Sequence, residues 1–220
     1  MEFLDHFKNM HTINAYIEDC DKIAVEHREE YLMAKGVAKE VPHNYFSGKK
    51  LIDIGCGPGT SFPIWVNHLG FNHVTAVDGS QEALAILNRR ISQGEFSYEV
   101  KTHLVELEKE PIPVETESMD ATLCAATLFY IRNINNVFQE VSRILKPGGL
   151  FAFEACIYEG ESCIIQRGPG GCNFYYHPMS HFRSFQKKLP LEFVHALLEH
   201  KKSYMDYTLY RYYMLWRKTK

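Results

Sequence analysis

Apolar residues recur at steps of three and four between positions 12 and 40: Ile13, Tyr16 and Ile17, then Ile23, Ala24 and His27, then Tyr31, Ala34 and Val37. That spacing predicts helix, as one long segment or as two broken near Asp19–Asp21. Pro42 and the stretch Asn44-Tyr45-Phe46-Ser47-Gly48 end the pattern. The period then shortens. Lys50 to Ile54 reads as a buried strand running into Gly55-Cys56-Gly57-Pro58-Gly59, and Thr60 to Leu69 reads as a helix stopped by Gly70. A second strand, 72–77, ends at Asp78-Gly79-Ser80, and Ser80 is placed to cap a helix over 81–91. Tyr98 to Leu104 and Ala121 to Ala126 read as the third and fourth strands, Ile134 to Leu145 as a helix, and Leu150 to Glu154 as a fifth strand after the turn Lys146-Pro147-Gly148-Gly149. Alternation of this kind predicts a parallel sheet covered by helices and joined by right-handed crossovers.

The rhythm breaks over 156–190, where Arg167-Gly168-Pro169-Gly170-Gly171 signals a loop. Leu191 to His200 fits a short helix, and the tyrosine-rich end, Tyr204 to Trp216, predicts two strands with a bend near Leu209–Arg211.

Composition adds limits. The 220 residues suit one domain with one sizeable core, and a 45% apolar share is that of a globular chain. No apolar run approaches the roughly 18 residues of a membrane span, and the start lacks the charged and apolar regions of a secretory signal. Cys20, Cys56, Cys124, Cys156, Cys163 and Cys172 show no paired zinc spacing and read as free thiols, so a cytoplasmic protein is expected. Cys163, Cys172, His177 and His181 offer suitable ligand types, but at spacings of nine, five and four that match no tight motif, so no metal is expected. The formal charge is −3, unlike the basic surface of a general nucleic-acid binder. It is unevenly spread: residues 1–40 carry nine acids against five Lys and Arg, and residues 181–220 carry nine Lys and Arg against three acids.

The chemistry concentrates at the first two strand ends. Glycines 55, 57 and 59 remove side chains where the backbone turns tightly or meets a ligand, and open sheets bind ligands at these carboxyl ends. Asp78, nineteen residues past Gly59, is placed to accept hydrogen bonds from the hydroxyls of a ribose. The glycines read G-x-G-x-G, not the G-x-G-x-x-G of dinucleotide sites, and no P-loop lysine follows. Asp53 is an acid inside an apolar strand. It is costly unless paired, and suits either the glycine loop or a ligand amino group.

Residues 51–60, Leu-Ile-Asp-Ile-Gly-Cys-Gly-Pro-Gly-Thr, resemble the first motif of the class I S-adenosylmethionine-dependent methyltransferases. Residues 74–80 are similar to the second motif, 118–124 to the fourth-strand motif, and 145–150 to the turn into the fifth strand. The resemblance covers about 48–155 and implies an α/β three-layer sandwich with a Rossmann-like, seven-stranded, mostly parallel sheet in the order 3-2-1-4-5-7-6, its last strand antiparallel. Residues 1–47 would then form a helical cap on a single domain, and 156–220 the substrate-side segment. The cofactor implied is S-adenosyl-L-methionine. Asp53, Gly55, Cys56, Gly57 and Gly59 would surround its methionine portion, and Asp78, Gly79 and Ser80 its ribose. Glu106 would meet the adenine amine with Leu107 by the ring, and Thr127 and Leu128 would lie beside the cofactor.

In-line methyl transfer needs alignment first and a base only where the nucleophile must lose a proton. Tyr130, Glu154, His177 and His181 are the candidates on the acceptor side. Each also has a plain reading: Glu154 as a solvent-facing or ion-paired acid, the histidines as surface or packing, Tyr130 as pocket rim. The Asn/Asp-Pro-Pro-Tyr/Phe signature of exocyclic amino-group methyltransferases is replaced by residues 125–130, Ala-Ala-Thr-Leu-Phe-Tyr. A small-molecule O or N acceptor is expected, with RNA or protein as the alternative suggested by the basic end, and a non-catalytic cofactor-binding protein as another.

Overall fold

The computed structural model describes residues 17, 29–42, 44–167, 172–204 and 207–220. Of the helical segment expected over 12–40, residues 12–16 and 18–28, with Cys20, lie outside the described residues, as does the loop at 168–171. The described part of that helix is α1 (Glu29–Lys39), which carries Met33, Ala34 and Val37 into the core. Two strand–helix steps and a third strand follow. They are β1 (Lys50–Ile54) and α2 (Phe62–Leu69), β2 (His73–Asp78) and α3 (Gln81–Ser92), then β3 (Glu99–Leu104) without a helix before β4 (Met119–Cys124). After β4 come a short 3-10 turn (Leu128–Tyr130), α4 (Asn135–Ile144) and the long β5 (Leu145–Tyr158).

Local chemistry sets the helix ends. α2 begins with Pro63 in its first turn and stops at Gly70, left-handed at φ 83°, whose N–H closes on the Val66 carbonyl at 2.8 Å. α3 starts at Ser80, whose hydroxyl accepts the Ala83 N–H at 3.1 Å. The helix-free 105–118 stretch is pinned to α4, where Arg143 donates to the carbonyls of Val114 and Ile112.

The central strands run β3-β2-β1-β4-β5, all parallel, and β9 (Thr208–Lys218) lies antiparallel along β5 with β8 (Leu191–Ser203) outside it. These seven strands reproduce the expected order, with the antiparallel strand second from the edge. Two more strands enlarge the sheet. β6 (Ile164–Arg167) and β7 (Asn173–Pro178) form a hairpin, and β7 pairs parallel with the extended end of β5 at Ile157 and Tyr158. α5 (Met179–Lys188) follows and buries Phe182 and Phe185.

Alternation along the strands builds two cores, one on each face of the sheet. Ile52, Ile54, Phe151 and Phe153 meet Phe138 and Val141 of α4 and Phe182 of α5 on one side. Leu51, Val74, Leu150 and Ala152 meet α1, Trp65 of α2 and Leu87 of α3 on the other. This is the α/β three-layer sandwich expected.

The C-terminal reading needs correction. Residues 191–200 are strand, and the bend expected near 209–211 is absent, because β9 is continuous and the turn lies before it, where the Tyr204 N–H donates to the Tyr207 carbonyl at 2.8 Å. β8 is bulged between Phe193 and His195 and again between Leu198 and His200. Each bulge inserts an extra residue, so the two-residue alternation is interrupted and Leu191, Val194 and Leu198 fall at helical steps. The open edge of β9 decides the conformation instead. The segment 156–190, read as irregular, holds the hairpin and α5.

Candidate active site

The strand ends build one pocket. Gly55 leaves β1 at φ 73°, and a Cβ there would overlap the Thr127 side chain, so only glycine lets the loops after β1 and β4 touch. The Gly55 and Cys56 amides both donate to the Val77 carbonyl of β2, at 2.7 and 3.1 Å. Gly57, at φ 54°, has open space where a side chain would project. Its N–H donates to Asp78 Oδ2 at 2.7 Å, while Asp78 Oδ1 accepts the Ser80 N–H at 2.8 Å. Asp78 therefore ties the glycine turn to the end of β2.

Asp53 faces the α2 side. Its Oδ2 accepts the Ser61 hydroxyl at 3.0 Å and the Trp65 indole N–H at 3.3 Å. Burial pushes its carboxyl up to about 7 against these two bonds, with Glu30 and Asp78 adding repulsion. Burial raises Asp78 as well, opposed by its backbone N–H donors. Three carboxylates, Glu30 of α1, Asp53 and Asp78, thus line a pocket whose other walls include the glycine turn, Ala83 and Leu107. Ala125, Ala126, Thr127 and Tyr130 close it on the β4 side. A cluster of buried acids is stabilised by a cationic ligand, and a carboxylate that accepts one N–H on each oxygen keeps lone pairs for hydroxyl donors.

A family model of the methyltransferase domain matches residues 52–153, the span that carries this pocket's glycine turn, Asp78 and the loop after β4. That span is similar to the methyltransferase domain family, in line with the class I S-adenosylmethionine-dependent methyltransferase motifs of the sequence. It is 30% identical to an uncharacterised chloroplastic methyltransferase of Arabidopsis thaliana, over 62% of this chain and 38% of the relative. It is 27% identical to a tRNA U34 carboxymethyltransferase of Idiomarina loihiensis, over 56% of this chain and 38% of that protein. The chain thus spans less than half the length of these curated relatives. Among solved structures, geranyl diphosphate C-methyltransferase from Streptomyces coelicolor, complexed with Mg2+, geranyl diphosphate and S-adenosyl-L-homocysteine, superposes with a TM-score of 0.65 at 17% identity. That match covers 88% of this chain and 82% of the other.

The methyltransferase pocket fits the family's cofactor, S-adenosylmethionine. The open space at Gly57 admits a ligand against bare backbone, and the three acids suit a sulfonium and an ammonium. Of the expected cofactor residues, Asp53, Gly55, Cys56 and Gly57 line it, as do Asp78, Gly79, Leu107 and Thr127. The others stand elsewhere. Gly59, at φ 78°, packs toward Leu87 and Phe62. Ser80 turns its hydroxyl to the α3 cap. Leu128 is buried in the α4-side core. Glu106 is paired with Lys109, its own N–H bound by Glu110, and does not line the pocket, whereas Leu107 does, with Asn136 on its carbonyl.

On the acceptor side only Tyr130 lines the pocket. Glu154 is fully buried, with Oε1 taking Arg211 Nε at 2.6 Å and Oε2 taking the Ala126 N–H at 3.1 Å. It anchors Ala126, left-handed at φ 48°, and is not poised as a base. His177 Nε2 donates to the Ile131 carbonyl at 2.9 Å, and burial lowers its imidazole to about 4, so it is neutral at physiological pH. His181 is exposed on α5, its ring 5.9 Å from that of His177. Sequence reasoning missed Glu30, Ser61, Ala125 and Ala126 in the wall. Only Ser61, beside the glycine turn, had a sequence cue. Among the described residues no group of His, Cys, Asp and Glu is arranged to hold a metal. None of the described cysteines, Cys56, Cys124, Cys156, Cys163 and Cys172, is joined in a disulfide. No described helix is long and apolar enough to cross a membrane.

Proposed function

We propose that this chain transfers the methyl group of S-adenosylmethionine to an O or N nucleophile of a small molecule. The observation that carries this reading is a single pocket with a ribose-type carboxylate at β2, bare backbone at β1 and a wall of small residues and Tyr130 at β4. When bound, the cofactor supplies an electrophilic methyl on a cationic sulfur. Asp78 would take the ribose hydroxyls on its remaining lone pairs, and Leu107 would pack against the base. Asp53 and Glu30 favour the cationic form over the neutral thioether product, which assists release of that product. Thr127, seated against Gly55, and Tyr130 line the acceptor side, exclude water and align the nucleophile. Glu154 sets this wall through Ala126 and acts as a positioning residue.

The basic 181–220 segment favours a second reading, an RNA acceptor. Incubation with methyl-labelled cofactor and fractionated cell extract tests both. Label in the metabolite fraction is the expected result. Label in RNA, falling steeply as salt rises, establishes the second reading, and label in protein refutes both. Cofactor binding without label in any fraction makes the chain a non-catalytic binder.

A further inference from the structure

The place of the acceptor follows from the sheet order. Asp78 ends β2 and the glycine turn ends β1, so on that reading the sugar and amino-acid portions of the cofactor would span those two strand ends. The next strand outward is β4, where residues 125–130 leave the sheet. The nucleophile therefore approaches from the β4 side.

Three rings converge there from two distant parts of the chain. Phe129 and Tyr130 lie on the turn after β4, and Phe174 lies on β7. Ring centres are 4.6 Å apart for Phe129 and Tyr130, 5.3 Å for Tyr130 and Phe174, and 5.6 Å for Phe129 and Phe174, the last two pairs edge-on. All three are only half-buried. Phe174 is held by the β6 ladder and by packing against Tyr158, Tyr176 and Leu209. Tyr130 belongs to the cofactor pocket itself. Glu154 is committed to Arg211 and Ala126, and His177 to Ile131, whereas the three side chains that converge here are all aromatic. The recognition surface offered is therefore π-faces and ring edges. Such a surface prefers a planar partner that stacks or meets it edge-on over a puckered one of equal bulk.

We propose that Phe129, Tyr130 and Phe174 form the acceptor subsite and that it takes a flat aromatic molecule carrying its nucleophilic atom on the ring edge. This rests on the small-molecule reading above and names its substrate class. The nucleophile gains the methyl as the carbon–sulfur bond breaks, the bonding pair stays on sulfur, and any proton on the attacking atom leaves to solvent.

The test titrates the protein, saturated with S-adenosylhomocysteine, with 2-naphthol and with decahydro-2-naphthol, a saturated probe of similar outline. Two ring contacts of ordinary strength correspond to about a tenfold preference for 2-naphthol. Phe174→Leu keeps the apolar volume, removes the π-face and is expected to abolish the preference, with S-adenosylhomocysteine affinity unchanged as the control for folding. Phe129→Leu repeats the measurement from the other wall. Equal binding of the two probes, a preference that survives both substitutions, or no binding of either probe overturns the proposal while leaving methyl transfer intact. Failure of S-adenosylhomocysteine itself to bind overturns both.

Discussion

Asp53 sits where burial, two hydrogen bonds and two neighbouring acids compete. Its carboxyl, raised to about 7 from an ordinary value of 3.8, holds its proton longer in the folded state than in the unfolded chain. The sign follows from linkage: the native state binds the extra proton, so this residue's contribution to stability is lost as pH rises from about 4 to 7. Asp53→Asn is therefore expected to raise the melting temperature of the ligand-free protein at pH 8 and to change it little at pH 4, as thermal unfolding across that range would show. The same substitution should weaken S-adenosylmethionine more than S-adenosylhomocysteine in calorimetry, since only the former brings a sulfonium. An unchanged ratio of affinities would remove Asp53 from charge recognition. Glu154 shows the limit of reading single residues. An acid at a strand end is recognisable in sequence, but its partners, Arg211 and the Ala126 amide, lie 57 and 28 residues away and become visible only when β9 lies along β5.

Elements were legible wherever one period dominated. β1, β2 and the helices after them have clean apolar spacing, a proline start or serine cap, and a glycine turn or stop. β8 was not legible, because its two bulges scramble the alternation and leave Phe193, Leu197 and Leu198 exposed. β9, between β5 and β8, has both ladders filled, whereas β8 has one. Hydrogen exchange should accordingly show the slowest C-terminal amides over 209–217, and over 191–203 an alternation of protected amides facing β9 with fast amides at the open edge. Continuous protection through 194–200 would mean a helix there and would contradict the hairpin.

The whole molecule is a sheet with a core on each face, and its pocket joins loops from β1, β2 and β4 with Glu30 from α1. A ligand spanning those pieces stabilises all of them together. S-adenosylhomocysteine at a hundredfold excess over its Kd adds about 2.7 kcal/mol by mass action. For a chain of this size that corresponds to a rise in melting temperature of roughly 5–10 °C in scanning fluorimetry. Asp78→Ala, which removes the proposed ribose acceptor and unties Gly57, should abolish most of that shift, and a full shift in the variant would refute the role given to Asp78.

By itself the sequence determined the alternating α/β order, the glycine turn, Asp78 and the family, because these depend on short-range periodicity and on residue types at fixed local spacing. Tertiary structure decided that 191–203 is a strand, that Glu154 is an anchor and His177 a neutral packing residue, and that Phe174 meets Tyr130. Each of those depends on which distant segment covers which edge, and a one-dimensional pattern carries no record of the burial and pairing that such coverage imposes.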